Sequence, residues 1–506
     1  MEAEPLSPWQ TGWPAMLALV ALIGGLARAW RSLLPPRSSL LPLLGIALLA
    51  LLLRLFVIPA WDRHLYDGHE AEYWDIFRGA RALDRGGTVL YPSMQWLWWS
   101  LGRVLPHAER VPVLISTLFG AASVLALGAA IERVWGRNAG LLAAGLVALH
   151  PVHAAWSSSA YNVVLPWLFG ALALLAAASL SRPEAPRPAA LGLVMGASLA
   201  LVVATRLESG LWVLPCLALS AQGVVRAPER GCWLRQVLPG LLLGAGLGIA
   251  ALVPLLFPGE VPGAGERGLA LSANLLLFAS YAPFDTAAGA ALLLLCLPVV
   301  LWRSPLFGGS LLLMALGNHL VLASFDDMGD RHALLALPLF AALLAGAATA
   351  PGAPRAALLL GLAGLGLSAS GLPQLASRYY ASDQAWLEQL EQPPWSELPR
   401  YRLAQVPTAV APPGQCGWIA EDHRVAREPA LSHFNLLDPV EAESLRGPDG
   451  CLRWCADKQD WQWSSRGVRD RAARIHHLYE TSPVAVVWDA DSGYGCQVWQ
   501  LGARRR

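Results

Sequence analysis

The chain has 506 residues, of which 55% are hydrophobic and 14% are charged, and this balance is too apolar for a soluble protein of that size. Its formal net charge is +1 and its basic residues are dispersed along the sequence, which argues against nucleic acid as a partner. The composition therefore predicts a membrane protein.

The N-terminal segment favours a membrane helix over a cleaved signal peptide. Residues 1–10 contain Glu2 and Glu4 and no basic residue, whereas a signal peptide begins with a positively charged region. Further apolar segments follow as far as residue 372, and together they predict about twelve membrane spans. The predicted spans lie near residues 13–30, 38–58, 111–131, 139–156, 163–180, 189–205, 209–221, 237–257, 286–302, 306–325, 331–349 and 355–372.

The charges in the connections predict the orientation of these spans. Alternate short connections are rich in arginine, and by the positive-inside rule they face the cytoplasm. Their arginines are Arg28, Arg31, Arg37, Arg133, Arg137, Arg182, Arg187, Arg226, Arg230, Arg235, Arg303 and Arg355. The connections 59–110 and 258–285 and the acidic turn 326–330 are then predicted to face outward, as is everything after residue 372.

The first outward connection, 59–110, is too long for a simple turn. Apolar residues recur at helical spacing in 70–83, and the aromatic cluster Gln-Trp-Leu-Trp-Trp occupies 95–99. Because tryptophan favours the headgroup level of a bilayer, we predict two amphipathic helices lying on the outer leaflet.

The stretch 65–73 (Leu-Tyr-Asp-Gly-His-Glu-Ala-Glu-Tyr) is the candidate site of chemistry. It follows the second span, which Pro59 is expected to end. In a helix that begins near Asp67, the side chains of Asp67, Glu70 and Tyr73 share one face. Two acids beside a lipid interface are suited to act as a general base and its helper on a lipid-linked substrate. The alternative is that these residues are solvated in a loop.

After residue 372 the sequence becomes polar and rich in Trp, Pro, Asp and Arg, which predicts a small α/β domain outside the membrane over residues 373–506, separate from the membrane domain 1–372. We predict a helix at 470–480 and strands at 484–488 and 496–501, joined by a turn at 491–493.

Four of the seven cysteines fall in this C-terminal domain: Cys416, Cys451, Cys455 and Cys496. An even number of cysteines in an exported domain predicts two disulfides, for which three pairings are open. A zinc site is the alternative, since Cys451 and Cys455 have ligand-like spacing.

Four motifs occur in order within residues 38–372. They are Leu-Leu-Arg-Leu-Phe at 52–56 with Glu-x-x-Tyr at 70–73, Tyr-Pro-Ser-Met-Gln-Trp at 91–96, Ala-Leu-His-Pro at 148–151 with Ser-Ser-Ser-Ala-Tyr-Asn at 157–162, and Asp-Arg-His-Ala-Leu-Leu-Ala-Leu-Pro at 330–338. Together they resemble motifs of the GT-C membrane glycosyltransferases, in particular of the protein O-mannosyltransferases and lipid A aminoarabinose transferases (glycosyltransferase family 39-like).

The resemblance implies a GT-C fold and the inverting transfer of a sugar from a polyprenyl-phosphate donor to a glycolipid, polysaccharide or protein acceptor outside the cytoplasm. In this family an acid of the first outer loop deprotonates the acceptor, and arginines hold the departing lipid phosphate. The family has Asp-Glu in tandem where this chain has His69 and Glu70. We therefore expect Asp67 to be the catalytic base, since Gly68 lets the backbone bend, with Glu70 as the alternative base or a partner to the acceptor, and His69 as a further candidate.

Arg54, Arg331 and His332 are the candidate ligands of the lipid phosphate, with Arg63 and Tyr73 as secondary site residues. Arg54 falls in the outer end of a span, where a charge needs a partner or must snorkel to the surface. Arg331 follows three acids, so a salt bridge is its alternative role, and His332 could instead cap the span.

Other polar residues near the outward turns have two interpretations each. His150, His153 and Asn162 could line an acceptor cleft, or they could be satisfied polar groups at a helix end. Arg206 and Glu208 flank an outward turn, where we expect a structural ion pair.

Two other functions remain open from the sequence. A transporter or flippase of lipid-linked saccharides would carry ionisable groups near the bilayer midplane, whereas here they cluster toward the outer face. A GT-C scaffold that has lost catalysis is the other possibility. The sequence indicates no certain cofactor and no clear divalent-metal site, although Asp67, Glu70 and the acids at 326–330 could bind a divalent metal. The expected location is the plasma (inner) membrane, crossed many times and in contact with its lipids, with the C-terminal domain outside the cytoplasm.

Overall fold

The computed structural model describes residues 8–61, 73, 76–79, 92–107, 110–157, 164–182, 185–256, 287–323, 337–351, 359–366, 369, 388, 390–402, 416–420, 434–435, 446–447, 449–457, 475–489 and 494–505. The chain divides into two compact units, the second of which contains Gln374–Arg506. The helices that precede Pro373 belong to the first unit, apart from the end of the chain's second helix, from Ile58 onward.

The first unit is built of α-helices rich in leucine and alanine, which are strong helix formers. In chain order these are α1 (Pro8–Leu33), α2 (Arg37–Trp61), α3 (Pro92–Gly102), α4 (Arg110–Trp135), α5 (Arg137–Leu149), α6 (Pro151–Trp156), α7 (Val164–Leu180), α8 (Pro188–Thr205), α9 (Val213–Arg226), α10 (Arg230–Leu256), α11 (Ala287–Arg303), α12 (Pro305–Ala323) and α13 (Leu337–Ala348). A 3-10 helix, Leu207–Trp212, joins α8 to α9.

Several of these helices are long and apolar enough to cross a membrane. Among the described residues there are five such segments: Gly12–Leu33, Arg37–Leu55, Val111–Trp135, Pro188–Thr205 and Arg230–Ala251. Arg137–Leu149, Val164–Leu180 and Pro305–Met314 are apolar but shorter. The prediction of a mostly helical chain with apolar helices is confirmed, whereas a total of twelve spans is not.

The exposed side of α2 shows why water is a poor solvent for this unit. Leu41, Leu44, Leu48 and Leu52 follow one another along the helix, and each is more than two fifths exposed. A continuous apolar stripe of this length is unfavourable in water but matches the hydrocarbon core of a bilayer.

The predicted span 139–156 is wrong as a single helix, because the structure divides it into α5 and α6. His150 lies between them in an extended conformation (φ −71°, ψ 121°), which a residue that precedes proline favours. Pro151 has no N–H to donate to the preceding turn. The Val147 carbonyl instead accepts a hydrogen bond from the backbone N–H of His150 at 3.3 Å.

The connection 59–110 contributes α3, which packs against α1 and α8. Met94, Gln95 and Trp98 are buried, and the Trp98 ring meets the Phe77 ring edge-on at 6.3 Å between centroids. Ile76 and Phe77, from the first predicted surface helix, are helical and buried. Both segments therefore bury side chains inside the first unit, so contact with a membrane surface is not the only interaction that stabilises them.

Arginines gather at one end of the first unit and bind helix C-termini. Arg133 donates to the carbonyl of Ser32 at 2.9 Å, and Arg303 donates to the carbonyl of Gly346 at 2.7 Å. Arg187 donates to the carbonyl of Arg28, one turn before the last turn of α1. Since the last carbonyls of a helix have no intrahelical donor, these cations stabilise the helix ends. We call this end, with Arg28, Arg31, Arg133, Arg187 and Arg303, the arginine-rich end.

Glycines allow α8 and α10 to approach closely. A methyl group added to Gly196 would collide with the carbonyl of Gly240, and one added to Gly244 would collide with the backbone of Gly196. Small residues at four-residue spacing on both helices are a common way to bring two membrane helices into contact.

The second unit contains a six-stranded mixed sheet of order β1-β5-β6-β4-β2-β3. The strands are β1 (Arg400–Tyr401), β2 (Cys416–Ala420), β3 (Phe434–Asn435), β4 (Cys451–Asp457), β5 (Tyr479–Asp489) and β6 (Tyr494–Arg504). The predicted strands 484–488 and 496–501 are confirmed as parts of β5 and β6, which pair antiparallel. The turn predicted at 491–493 lies outside the described residues.

The helix predicted at 470–480 is wrong at its C-terminal end. Residues 475–478 are helical, but Tyr479 and Glu480 belong to β5. Tyr479 pairs with Arg504 of β6 and is fully buried in a cluster with Trp454 and Leu501. The burial of this large ring against the sheet outweighs the local helical pattern.

Two disulfides join three neighbouring strands of the sheet. Cys416 of β2 is bonded to Cys451 of β4, and Cys455 of β4 is bonded to Cys496 of β6. The prediction of two disulfides is confirmed, one of its three open pairings is selected, and the zinc alternative is wrong. Cys216, Cys232 and Cys296, in the helical unit, are free thiols.

Candidate functional site

Arg54 is a charged residue in the interior of the helical unit, and its side chain has no exposed surface. Its Nε donates to Ser157 Oγ at 2.5 Å, and Nη2 lies 2.5 Å from His153 Nδ1. Its Nη1 donates to the carbonyl of Ala50 at 2.7 Å and to that of Ala148 at 3.4 Å. The charge therefore does not snorkel to a surface, because protein groups surround it.

His153 extends this arrangement away from the arginine. Its Nε2 lies 3.2 Å from Ser123 Oγ, and that hydroxyl donates to the Gly120 carbonyl at 2.7 Å. Since Nδ1 faces the guanidinium donor, Nδ1 accepts and Nε2 carries the proton toward Ser123. The imidazole also meets the Trp167 ring edge-on at 4.8 Å. We call Arg54, Ser123, His153 and Ser157 the buried polar cluster.

Three local features of the sequence bring these residues together. Pro151 begins the short helix α6, which carries His153 as its third residue. Ser157, just after α6, also donates to the carbonyl of His153 at 2.5 Å. Gly120 of α4 leaves the space that Ser157 and Arg54 occupy, since a side chain there would collide with Ser157.

The buried polar cluster and the arginine-rich end lie at opposite ends of α2 and α4. Arg54 is about 25 Å along α2 from Arg37, at about 1.5 Å per residue. Near the start of α2, Ser39 Oγ donates to Glu132 Oε1 at 2.6 Å, close to the end of α4. Near the end of α2, Arg54 lies beside Gly120, in the first half of α4. The two helices are thus antiparallel, and their charged groups are separated by most of a bilayer thickness.

The structure brings together Arg54 and His153, which the sequence assigns to different roles. His150 is also buried and meets the Phe340 ring at 6.1 Å, and Tyr73 and Arg206 are buried and engaged in contacts. The remaining predicted site residues lie outside the described residues: Arg63, Asp67, His69, Glu70, Asn162, Arg331 and His332. The predicted ion pair of Arg206 with Glu208 likewise stays a prediction.

Ser123 and Ser157 are partners of the cluster that sequence reasoning did not identify. Ser157 begins the Ser-Ser-Ser run of a motif, but nothing in that run points to Arg54. Ser123 lies in an apolar helix, and an isolated hydroxyl there is a weak signal because it often bonds to its own helix, as it does here.

The part of the chain that the structure describes contains no cluster of three or more His, Cys, Asp or Glu side chains able to hold a metal ion. The acids at 67, 70 and 326–330, which the sequence offers as metal ligands, are not among these residues. The chemistry available in the cluster is that of a fixed cation, a neutral imidazole and two hydroxyls.

No protein-family model matches the chain, and no curated protein is significantly similar to it in sequence.

Proposed function

We propose that the chain is an inverting glycosyltransferase that moves a sugar from a polyprenyl-phosphate donor to an acceptor outside the cytoplasm. The proposal includes a GT-C fold with about twelve spans in the plasma membrane and an extracytoplasmic C-terminal domain. The observation that carries it is the buried polar cluster, located at the end of α2 opposite to the arginine-rich end. Under the positive-inside rule the end of α2 that carries the buried polar cluster is extracytoplasmic.

A buried arginine inside an apolar helical unit is unfavourable unless it serves a function or is fully compensated. Arg54 is compensated by carbonyl, hydroxyl and imidazole groups from three parts of the chain. Because these partners already hold the Arg54 guanidinium in place, it does not have to rearrange when negative charge develops nearby. Departure of a lipid phosphate generates negative charge of this kind, and preorganised cations are the usual means of stabilising it.

In this scheme Arg54 acts on the donor phosphate through its electrostatic field, since its atoms are buried. Arg331 and His332 are the proposed direct ligands of the phosphate. Asp67 is the proposed base toward the acceptor hydroxyl, with Glu70 as the alternative. The two disulfides support an extracytoplasmic location for the C-terminal domain, because such bonds persist in oxidising compartments.

The proposal is tested by transfer assays on the full chain in lipid nanodiscs, supplied with a panel of polyprenyl-phosphate sugars and candidate acceptors. We expect Arg54→Gln to lower kcat by about 100-fold, the usual effect of removing one preorganised charge donor. Asp67→Asn should abolish transfer while leaving membrane insertion intact. The matched control is Arg103→Gln, because Arg103, just after α3, is exposed, with its guanidinium over the Trp99 ring at 4.8 Å.

Arg54→Lys separates charge from structure, since it keeps the positive charge but not the planar array of donors. A folded Arg54→Lys variant should keep more activity than Arg54→Gln. Wild-type rates in Arg54→Gln, Asp67→Asn and Glu70→Gln together, or no transfer by the wild type from any donor, would contradict the proposal.

A further inference from the structure

Helices α1 and α10 are neighbours, and each presents an exposed face that combines arginine with apolar side chains. Both helices pack against α8 and against each other. A methyl group added to Gly25 of α1 would meet Val194 of α8, and one added to Gly192 of α8 would meet Val237 of α10, so the three helices are adjacent near the arginine-rich end.

On α1 the surface runs from Arg31 toward the middle of the helix. Arg31 is exposed, with its guanidinium 5.3 Å from the ring centre of Trp30, which is 50% exposed. Ile23, two turns before Trp30, and Val20, about one turn further on, continue the stripe, and each is more than half exposed.

On α10 the same order of residues recurs. Arg235 is exposed near the start of the helix, and Leu238, Leu242 and Ile249 follow on the same face at spacings of three, four and seven residues. Leu242 and Ile249 are more than 60% exposed. Each helix thus offers a cation at the arginine-rich end and an apolar stripe that leads away from it.

The two arginines differ from those that hold the helix ends together. Arg133 and Arg303 donate to carbonyls of neighbouring helices. No described residue accepts a hydrogen bond from the guanidinium of Arg31 or Arg235. Arg28, Arg226 and Arg230 are exposed in the same region, where Glu229 is an exposed acid. Positive charge therefore predominates at this end of the surface.

We propose that the α1–α10 surface binds an anionic phospholipid of the leaflet that meets the arginine-rich end. The charges match a phosphate-containing headgroup with net negative charge, and the stripes match the length and apolarity of its acyl chains. A zwitterionic lipid gains the apolar contacts but lacks the net charge that the arginines attract. This inference does not depend on the proposed sugar transfer.

Native mass spectrometry of the full chain in a neutral detergent tests the proposal. The protein is titrated with dioleoyl-phosphatidylglycerol or dioleoyl-phosphatidylcholine, which have the same acyl chains. We expect phosphatidylglycerol to bind more tightly, and Arg31→Gln and Arg235→Gln each to weaken its binding about fivefold. Arg31→Lys and Arg235→Lys should retain binding, because they keep the charge.

The matched control is Arg137→Gln, which removes an exposed arginine at the start of α5, a helix that packs against α4 and α13. It should leave phosphatidylglycerol binding unchanged, and glycerol phosphate, which lacks acyl chains, should not displace the lipid. Equal binding of both lipids would overturn the proposal. So would displacement by glycerol phosphate, or an effect of Arg137→Gln as large as that of Arg31→Gln, since the first indicates a bare phosphate site and the second a diffuse charge effect.

Discussion

Arg54 owes its place in an apolar helix to partners that sequence distance hides. Its hydrogen-bond acceptors include Ser157 Oγ and the Ala148 carbonyl, about a hundred residues further along the chain. A pattern read along α2 shows a charge that needs compensation but cannot show where the compensation comes from. The sequence therefore predicts that the charge of Arg54 needs a partner, and the structure identifies its hydrogen-bond acceptors.

The Arg54–Ser157 contact predicts a stability effect at a single hydroxyl. Ser157→Ala removes the acceptor for Nε and leaves a buried charged donor without it, which costs about 1–3 kcal/mol. The thermal unfolding temperature of the purified chain should fall accordingly. Ser38→Ala, at an exposed serine near the start of α2, is the control and should have little effect. Equal stability of both variants would show that the contact contributes nothing.

The sequence patterns predict where helices and strands lie better than they predict where each one begins and ends. The strands at 484–488 and 496–501 were predictable from their apolar and β-branched residues, but β5 begins earlier, at Tyr479, because tertiary burial extends it. The span at 139–156 looked continuous because its apolar character hardly changes across His150 and Pro151. Backbone chemistry at the proline, rather than hydropathy, divides it.

The α8–α10 contact predicts opposite outcomes for two glycines on one helix. Gly244→Val should place methyl groups against the backbone of Gly196 and destabilise the chain by about 1–3 kcal/mol or more. Gly246→Val introduces the same side chain two residues later, where nothing lies within 4 Å of the added carbon. Thermal unfolding in one detergent compares the two variants directly. A Gly244→Val variant as stable as Gly246→Val would refute close packing at this contact.

For the whole molecule, the oxidation state of the cysteines in the cell depends on the compartment in which the C-terminal unit lies. If the C-terminal unit is exported, Cys416, Cys451, Cys455 and Cys496 are oxidised in the cell, and Cys216, Cys232 and Cys296 stay reduced. Cells lysed in denaturant with a maleimide mass tag should then yield three adducts per chain without reductant. Prior reduction should yield seven, one for each cysteine in the sequence. Seven adducts without reductant would place this unit in a reducing compartment.

The break at Pro151 links the structural roles of Pro151 and Arg54. An uninterrupted helix would engage the Ala148 carbonyl with the N–H four residues on, whereas the interruption directs it to Arg54 at 3.4 Å. Restoring helicity with Pro151→Ala should thus matter most while Arg54 is present, and little once that arginine is replaced by leucine. Sequences that descend from a common ancestor of this chain should gain or lose the two residues together.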